Sequence, residues 1–496
     1  MFPKHTNYEN IYIKFVALLT SVWQNRIHQI NARLNMSRNL FSEFEPSDKT
    51  IWQDQIAKEV TGTVPSGSYS GLQNVEPYYT QSELNSSQAA DMQSCQKHIT
   101  GWLNMPFIPA GSDKVLQNKL NEVISSGADG IFLDCTYETP ANPDFTKILH
   151  GIKLSETPFF FQTRERPDLL FENIAKTAPY HLKGGIASDP IADWMQTGKS
   201  FHDHLSGIIR IISKTDKMRD FYPLMVENHV FHHAGATPVQ ELALMTGTLV
   251  AYLDLLTDAG ITAQQAFDNI FLSVSIGTGY LTEIAKLRAL RFLHTKIGFA
   301  YGLKKGYKAF IHARTSSFYD SRSLPHTNML RSTTEAMSAV IGGCDALTVQ
   351  TYNHSYEPGD SFSERIARNT SLLISNESYI GHVADPAAGS YYIENLSIRM
   401  ADEAWALFLK SEQQGGIIVS FEKDFIQEEI EKSWNAKIEA MQNDRVMVGV
   451  NRFVPDNEIL KSTTKKLSPE ILYPGPLRLL PQRNLAEFWN KNAGKL

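Results

Sequence analysis

The densest group of side chains that could do chemistry is the run Glu227-Asn-His-Val-Phe-His-His233. Its two outer histidines, His229 and His233, are four positions apart, and on a helix this spacing would put both imidazoles on one face as possible metal ligands. The run follows a predicted strand and leads into Ala234-Gly-Ala236, which does not favour a helix there. The HExxH pattern of zinc enzymes is absent. We therefore predict no metal site, and we expect these histidines to be hydrogen-bonded within the protein.

Other polar side chains are predicted at the carboxyl ends of the strands, where a barrel would gather its functional groups. They are Asp134, Gln162, Lys183, Glu227, His229, Ser273, Arg314 and Asp345. The set contains no evident combination of a general acid, a general base and an anion-binding cation. Asp134 is expected to cap the turn that follows it. Glycine pairs such as Gly184-Gly185 are expected to permit tight turns, and no Walker A run predicts a nucleotide site.

Short apolar runs that alternate with helical stretches must position these side chains. Compact apolar runs of this kind are typical of parallel strands that are buried on both faces. Eight runs predict strands at Leu103–Ile108, Gly130–Asp134, Pro158–Gln162, Leu182–Ala187, Tyr222–Val226, Ile270–Val274, Ala309–His312 and Ala346–Gln350.

Eight strands alternating with helices over about 250 residues are what an α/β fold of the TIM-barrel type, (β/α)8, requires. A doubly wound open sheet is the competing arrangement, and it normally carries a glycine-rich loop after its first strand. The residues at that point, Asn104-Met-Pro-Phe107, do not form such a loop. The pattern therefore favours the barrel.

Composition limits the classes of function. The chain has 496 residues, is 42% hydrophobic and carries a net charge of -6 without a basic stripe, so no nucleic-acid partner is predicted. Its three cysteines, Cys95, Cys135 and Cys344, form no CxxC pair, which favours a reducing compartment and a cytoplasmic location. The apolar run Ile11–Trp23 is too short to span a membrane, so no membrane partner is predicted either.

Three runs in one region carry a resemblance to a known family. RSTTEAMSAVIGG begins at Arg331, SERIARNTSLLISNES follows, and ADPAAGSYYIENL ends at Leu396. In this order they resemble the barrel region of methylmalonyl-CoA mutases, which are adenosylcobalamin-dependent radical isomerases with a TIM-barrel fold. The resemblance covers roughly residues 36–496. We interpret the second run as a scaffold helix and the Asp385-Pro386 segment as a scaffold turn.

Catalytic members of this family carry a YHMQEAGA-like run after the fifth strand. Its tyrosine assists cleavage of the cobalt–carbon bond, and its histidine acts as a general acid. Aligned on the shared AGA, this chain has His229 in the tyrosine position and Val230 in the histidine position. Valine has no proton to give, so the resemblance implies that this acid catalysis is lost. We therefore predict no catalytic residue.

Further departures from the family pattern also imply that catalysis is lost. Asn269 replaces an arginine that holds the CoA moiety, and Asp345 replaces a glutamine near the acyl group. Arg314 matches a family arginine, but Ser316 stands where active chains have a histidine. We interpret Asn269, Arg314 and Asp345 as the remnant of a substrate-binding site, and Ser316 as a degenerate position.

The cobalamin domain of the family is marked by D-x-H-x-x-G, and the nearest run here is His204-Leu-Ser-Gly207. It has His202 in place of the aspartate, so we interpret it as a chance match. The resemblance implies a small (beta) subunit that lacks this domain, binds no cofactor alone and stabilises a heterodimer. The large catalytic partner would hold adenosylcobalamin, bind most of the acyl-CoA and interconvert succinyl-CoA and methylmalonyl-CoA, as in propionate metabolism.

Two alternatives stay open. One is an active split acyl-CoA mutase whose cobalamin-binding chain is separate, and the other is a non-enzymatic barrel that binds a CoA ester. The predicted domains are residues 1–35 as an optional extension, residues 36–95 as an arm that wraps the partner, residues 96–395 as the barrel, and residues 396–496 as C-terminal helices and a tail.

Overall fold

The computed structural model describes residues 43, 47–59, 67–69, 71–109, 111–136, 143–178, 180–304, 309–443, 445–454 and 475–492. The predicted extension of residues 1–35 lies outside them. The chain divides into two compact units, residues 1–65 and residues 66–496. In the first unit, the described helix α1 (Lys49–Glu59) has no buried residue.

The second unit contains the strands and the other helices. The strands are β1 (Gly67–Tyr69), β2 (Leu72–Val75), β3 (Leu103–Asn104), β4 (Phe107–Pro109), β5 (Ile131–Asp134), β6 (Phe159–Gln162), β7 (Gly184–Ala187), β8 (Phe221–Tyr222), β9 (Leu224–Glu227), β10 (Ile270–Ile276), β11 (Ile311–Thr315) and β12 (Ala346–Thr348). The helices are α2 (Ser86–Ser94), α3 (Asp113–Ser125), α4 (Phe145–Ile148), α5 (Pro167–Thr177), α6 (Pro190–Thr197), α7 (His202–Thr215), α8 (His229–Ala234), α9 (Pro238–Asp258), α10 (Ala263–Asp268), α11 (Tyr280–Ala300), α12 (Thr327–Ile341), α13 (Ser361–Asn376), α14 (Tyr391–Gln413), α15 (Gly416–Glu422), α16 (Phe425–Gln442) and α17 (Leu485–Asn492).

Parallel pairing joins the strands from β3 to β12 into a ring of eight segments. One sheet runs β4-β5-β6-β7-β8 and the other runs β3-β12-β11-β10-β9. The two sheets meet where a proline interrupts a strand, because proline has no N–H to donate to the ladder. Pro106 separates β3 from β4, and Pro223 separates β8 from β9.

Hydrogen bonds carry the pairing across these interruptions. Met105 N donates to Leu347 O (2.9 Å), and Phe132 N donates to Pro106 O (3.0 Å), so the first segment contacts both of its neighbours. On the far side, β8 pairs with β7, and β9 pairs with β10. The (β/α)8 prediction is thus confirmed and the doubly wound sheet is excluded.

Aromatic side chains fill the interior of the barrel. Phe132 and Phe160 stack with ring centroids 6.2 Å apart, and Phe160 meets Phe271 edge-on at 4.7 Å. Met105 and Met225 are buried in the same cluster. The barrel axis is therefore a packed core, and any cavity must lie at its ends.

The C-terminal boundary of the barrel differs from the prediction. Helix α14 begins at Tyr391 rather than after residue 395, and it packs along α9 and α11. Arg288 of α11 is fully buried and pairs with Asp385 and with Glu394 of α14 (2.9 Å to the latter). Because a buried cation needs these partners, α14 is part of the barrel shell and not an appendage.

Part of the predicted partner-wrapping arm packs instead on this chain. Leu72 of β2 and Met92 of α2 are buried in the main core. Gln93 Nε2 donates to Glu394 Oε1 (2.8 Å), and α2 packs on α14. Apolar side chains of residues 71–95 thus cover the protein's own helices, and the contact of this arm with a partner stays a prediction.

The described end of the chain, residues 475–492, packs on the rest of the second unit. It contains α17, and Leu480 N donates to Met195 O (2.9 Å). Among the described helices, α9 is long and apolar enough to cross a membrane, but 78% of the window concerned is buried inside the protein. This is the environment of a core helix.

Candidate functional site

A cavity of about 910 Å³ opens at the carboxyl ends of the barrel strands. It is lined by Gln162 at the end of β6, Glu227 at the end of β9, and Arg314 in β11, together with His229 and Val230 of α8. Parallel strands bring their carboxyl ends together, which explains why residues far apart in sequence meet here.

Helix α8 places two of the predicted histidines at this cavity. It spans only His229–Ala234 and ends at Gly235, whose φ of 107° is one that glycine adopts readily. The expectation that this run would not be helical was wrong, because the glycine terminates the helix without preventing it. His229 and His233 both line the cavity.

Both imidazoles are nonetheless occupied by hydrogen bonds within the protein. His229 Nδ1 lies 2.6 Å from Ser275 Oγ, and its Nε2 lies 2.8 Å from Ser273 Oγ. His233 Nδ1 donates to His229 O (2.8 Å), the bond of an i, i+4 pair. The prediction of hydrogen-bonded structural histidines is confirmed. Within the described part of the chain, no group of three or more His, Cys, Asp or Glu side chains is arranged to hold a metal ion.

A buried hydrogen-bond chain runs from His229 to the first strand of the barrel. Thr348 Oγ1 donates to Met105 O (2.6 Å), so it must accept from His312 Nε2 (2.8 Å). His312 Nδ1 then accepts from Ser273 (2.9 Å), and Ser273 accepts from His229 Nε2. Both imidazoles are neutral in this arrangement, consistent with burial lowering the pKa of each well below its usual range.

The third histidine of the run lies behind the cavity. His232 Nδ1 is 2.7 Å from Glu241 Oε1, and its Nε2 is 2.6 Å from Ser316 Oγ. This is the arrangement of a serine, a histidine and an acid in hydrolases. However, Ser316 is only 4% exposed and does not line the cavity, so its hydroxyl cannot meet a substrate. Lys286 Nζ pairs with Glu241 (2.7 Å), and the group is a buried charge network.

The cavity therefore lacks a proton donor at the position the sequence singled out. Val230 lines it with an apolar side chain. The carboxyl group of Glu227, which also lines the cavity, has a shifted pKa. Burial raises its pKa to about 8, and the neighbouring charge of Asp189 acts in the same direction.

Two predicted substrate-site residues lie elsewhere. Asn269 directly precedes β10 and Asp345 directly precedes β12, so both lie at the amino ends of strands and neither lines the cavity. Asn269 Nδ2 donates to Gln265 O (2.7 Å), and Asp345 pairs with Arg291 (2.6 Å). The expected position of Asp345 among strand-end residues was wrong, as was that of Lys183, which precedes β7. Of the three proposed remnants, only Arg314 is in the cavity.

Asp134 behaves as predicted. Its Oδ1 accepts from Thr136 N (2.9 Å) and from Thr136 Oγ1 (2.6 Å), so the carboxylate caps the turn after β5. This confirms a local structural role.

The histidine of the chance HxxG run does not fit the lower ligand of cobalamin. His204 of the chance HxxG run lies on α7, with its Nε2 2.9 Å from Ser188 Oγ. Burial lowers the pKa of His204 to about 4. Its Nε2 is thus already paired within the protein.

Sequence reasoning missed several residues of the cavity. Arg368 lines it, although the run that contains Arg368 was interpreted only as scaffold. Ser355 reaches it from the loop after β12, and Gln482 from the tail. A side chain on the helix that follows the last strand of a barrel is close to the carboxyl ends, which is the signal that could have identified Arg368.

Comparisons with known proteins agree with these motifs. The family model described as Methylmalonyl-CoA mutase matches residues 142–472. A methylmalonyl-CoA mutase small subunit from Porphyromonas gingivalis is 31% identical over 449 residues, which are 85% of this chain and 72% of the relative. The small subunit from Streptomyces virginiae is 28% identical, over 80% of this chain and 61% of its own length.

A further relative extends the comparison beyond small subunits. A methylmalonyl-CoA mutase from Rhizobium meliloti is 31% identical over 284 residues, which cover 56% of this chain and 40% of that protein. The match of the family model over more than half of the chain, and the extent of the Porphyromonas match, are sufficient to assign the family. This chain belongs to the methylmalonyl-CoA mutase family.

Proposed function

We propose that this chain is the non-catalytic small (beta) subunit of a heterodimeric, adenosylcobalamin-dependent methylmalonyl-CoA mutase, and that it stabilises the complex. The observation that carries the proposal is Val230. It lines the cavity where the family's general acid is expected, and an isopropyl group cannot donate a proton.

The neighbouring histidines do not compensate for this loss. His229 has a hydroxyl partner on each ring nitrogen, and burial keeps its imidazole neutral. His233 is held by His229 O and Ser317. A group that is neutral and already bonded on both sides is a poor proton donor to a substrate.

The names of the relatives support the role of a subunit. Two relatives are named small subunits, and a small subunit implies a larger one. We propose that this larger subunit holds adenosylcobalamin and carries out the succinyl-CoA and methylmalonyl-CoA interconversion in the cytoplasm. This chain would supply a folded surface for assembly.

An activity assay on three samples tests the proposal. The samples are this chain alone, the large subunit of the same organism alone, and the two mixed, each with adenosylcobalamin and methylmalonyl-CoA. We expect no turnover from this chain alone. In a separate experiment, we expect the two mixed subunits to elute together from a gel-filtration column. Turnover by this chain alone, or after addition of only a separate cobalamin-binding domain, would refute the non-catalytic role.

A further inference from the structure

A second cavity, of about 340 Å³, lies apart from the barrel mouth, the cavity at the carboxyl ends of the strands. Its walls are helix α12 and residues 445–448, which follow α16. Tyr319, from the chain after β11, and Leu485, at the start of α17, also line it. The two cavities share no lining residue, so this one is a separate site.

Hydrogen bonds hold the walls of this second cavity in place. Arg331 of α12 donates to Asn328 Oδ1 (2.7 Å) and to Val448 O (2.6 Å), and the second bond joins one wall to the other. Asn451 Nδ2 donates to Arg445 O (2.8 Å) and fixes the segment after α16. The chain's own contacts therefore form the cavity, and small-molecule sites are usually pre-formed in this way.

Apolar side chains make up half of the cavity lining. They are Leu330, Met441, Val446, Met447, Val448 and Leu485. The side chain of Leu330 is 71% exposed, so the apolar surface continues from the cavity to its rim. Methionine side chains are unbranched and flexible, and they adapt to an aliphatic chain. A lining of this kind favours a ligand with a hydrocarbon part.

Two polar side chains of this cavity carry hydrogen-bond donors that have no partner among the described residues. They are the Tyr319 hydroxyl and the guanidinium of Arg445, which is exposed. The two groups are close enough to interact, because burial raises the pKa of Tyr319 while the charge of Arg445 opposes that rise. A phenol O–H and a guanidinium together are suitable donors for one carboxylate.

The charge around the cavity also favours an anion. Among the described lining residues the charged ones are Arg331 and Arg445, and none is acidic. The acids that act on Arg331 are Asp320 and Glu335. Burial raises the pKa of both, to about 8 for Asp320, so they hold their protons near neutral pH and leave the positive charge uncompensated.

We propose that this second cavity binds an aliphatic monocarboxylate, with its carboxylate at Arg445 and Tyr319 and its hydrocarbon chain along Met441 and Met447. Arg331 already donates to Asn328 and Val448, so one guanidinium remains, which matches a single anionic group. The volume is near the lower end of the range for small-molecule sites, roughly 300–1,000 Å³, which favours a compact ligand. The site is independent of the proposed assembly role.

Titration calorimetry on the full chain near neutral pH tests the site with three probes: octanoate, octanol and acetate. Octanol keeps the hydrocarbon chain without the charge, and acetate keeps the carboxylate without the chain. We expect one-to-one binding of octanoate, and binding of octanol that is weaker by at least about 10-fold, since a charge-assisted hydrogen bond is lost. Acetate should not bind at millimolar concentration.

Substitutions locate the binding. Arg445→Met should weaken octanoate binding about 10- to 100-fold, and Tyr319→Phe, which removes a neutral donor, about 3- to 10-fold. Arg452→Met is the matched control, because Arg452 is exposed on the same segment but does not line the cavity. Arg368→Met changes the barrel mouth instead. Both of these variants should leave the affinity for octanoate unchanged.

Four results would overturn the proposal. They are no binding of octanoate at millimolar concentration, octanoate binding no tighter than that of octanol or acetate, full retention of binding by both Arg445→Met and Tyr319→Phe, and loss of binding in Arg368→Met, which would place the ligand at the barrel mouth. Thermal melts show whether the variants are folded. If Tyr319→Phe does not fold, Arg445→Met decides the question, because its side chain is exposed.

Discussion

Burial sets the protonation states of single residues around the barrel mouth. His229 and His312 are neutral because their imidazoles are removed from water, and Glu227 holds its proton for the same reason. The two kinds of group affect stability in opposite directions. A histidine with a lowered pKa reduces stability as the pH falls below about 6.5, whereas a carboxyl with a raised pKa reduces stability as the pH rises.

Glu227→Gln should therefore raise the free energy of unfolding relative to the wild type, increasingly so as the pH rises. The unfolded carboxyl ionises near its model value of 4.5, but the folded one ionises only at about 8. Between these values the native state binds more protons, so the wild type loses stability that an uncharged glutamine retains. We expect a gain of about 1 to 3 kcal/mol between about pH 5 and about pH 8. Urea unfolding at several pH values measures it.

Glu165→Gln is the control for that series, since Glu165 lies at the same mouth with its side chain 69% exposed. Loss of its exposed pair with Lys199 should cost no more than about 1 kcal/mol. If the free energies of unfolding of Glu227→Gln and of the wild type changed with pH in parallel, the Glu227 carboxyl would be ionised in the folded protein.

At the scale of elements, a buried arginine joins helix α11 to the third of the runs that carry the family resemblance. Arg288 of α11 binds Asp385 of the turn before α14 and Glu394 within α14. Gln93 of α2 donates to the same Glu394. Glu394 is therefore shared by α2 and α11, two helices that are distant from α14 in sequence.

Arg288→Met should lower the free energy of unfolding by about 3 to 5 kcal/mol, because it leaves two carboxylates without their buried partner. Denaturant unfolding followed by circular dichroism measures the loss. Lys214→Met, which breaks the exposed pair with Glu172, should cost no more than about 1 kcal/mol. Equal effects from the two substitutions would mean that the buried network does not stabilise the shell.

The sequence predicted the eight barrel segments well, because strands buried on both faces are continuous apolar runs. Positions that depend on tertiary contacts were not predictable. Asp345 lies at the amino end of β12, and an error of a few residues in the strand boundary is enough to misplace it. The packing of α2 on α14 has no signal in the local sequence.

At the scale of the whole molecule, the division of the chain points to its assembly segment. Residues 71–95 contact the protein's own core, whereas residues 1–65 form a separate unit in which described helix α1 buries no side chain. An exposed helix with little apolar periodicity gains its stability from a partner or not at all. We propose residues 36–65 as the part of the predicted arm that wraps the large subunit.

Deletion of residues 1–65 should abolish co-elution with the large mutase subunit and leave the barrel folded. The fold should persist because the core contacts of β2 and α2 remain, and a thermal melt by circular dichroism would confirm it. Deletion of residues 1–35 is the matched control and should preserve co-elution, since those residues are proposed to be an optional extension. A folded variant without residues 1–65 that still co-elutes would place the interface on the second unit, and the arm would then have no part in assembly.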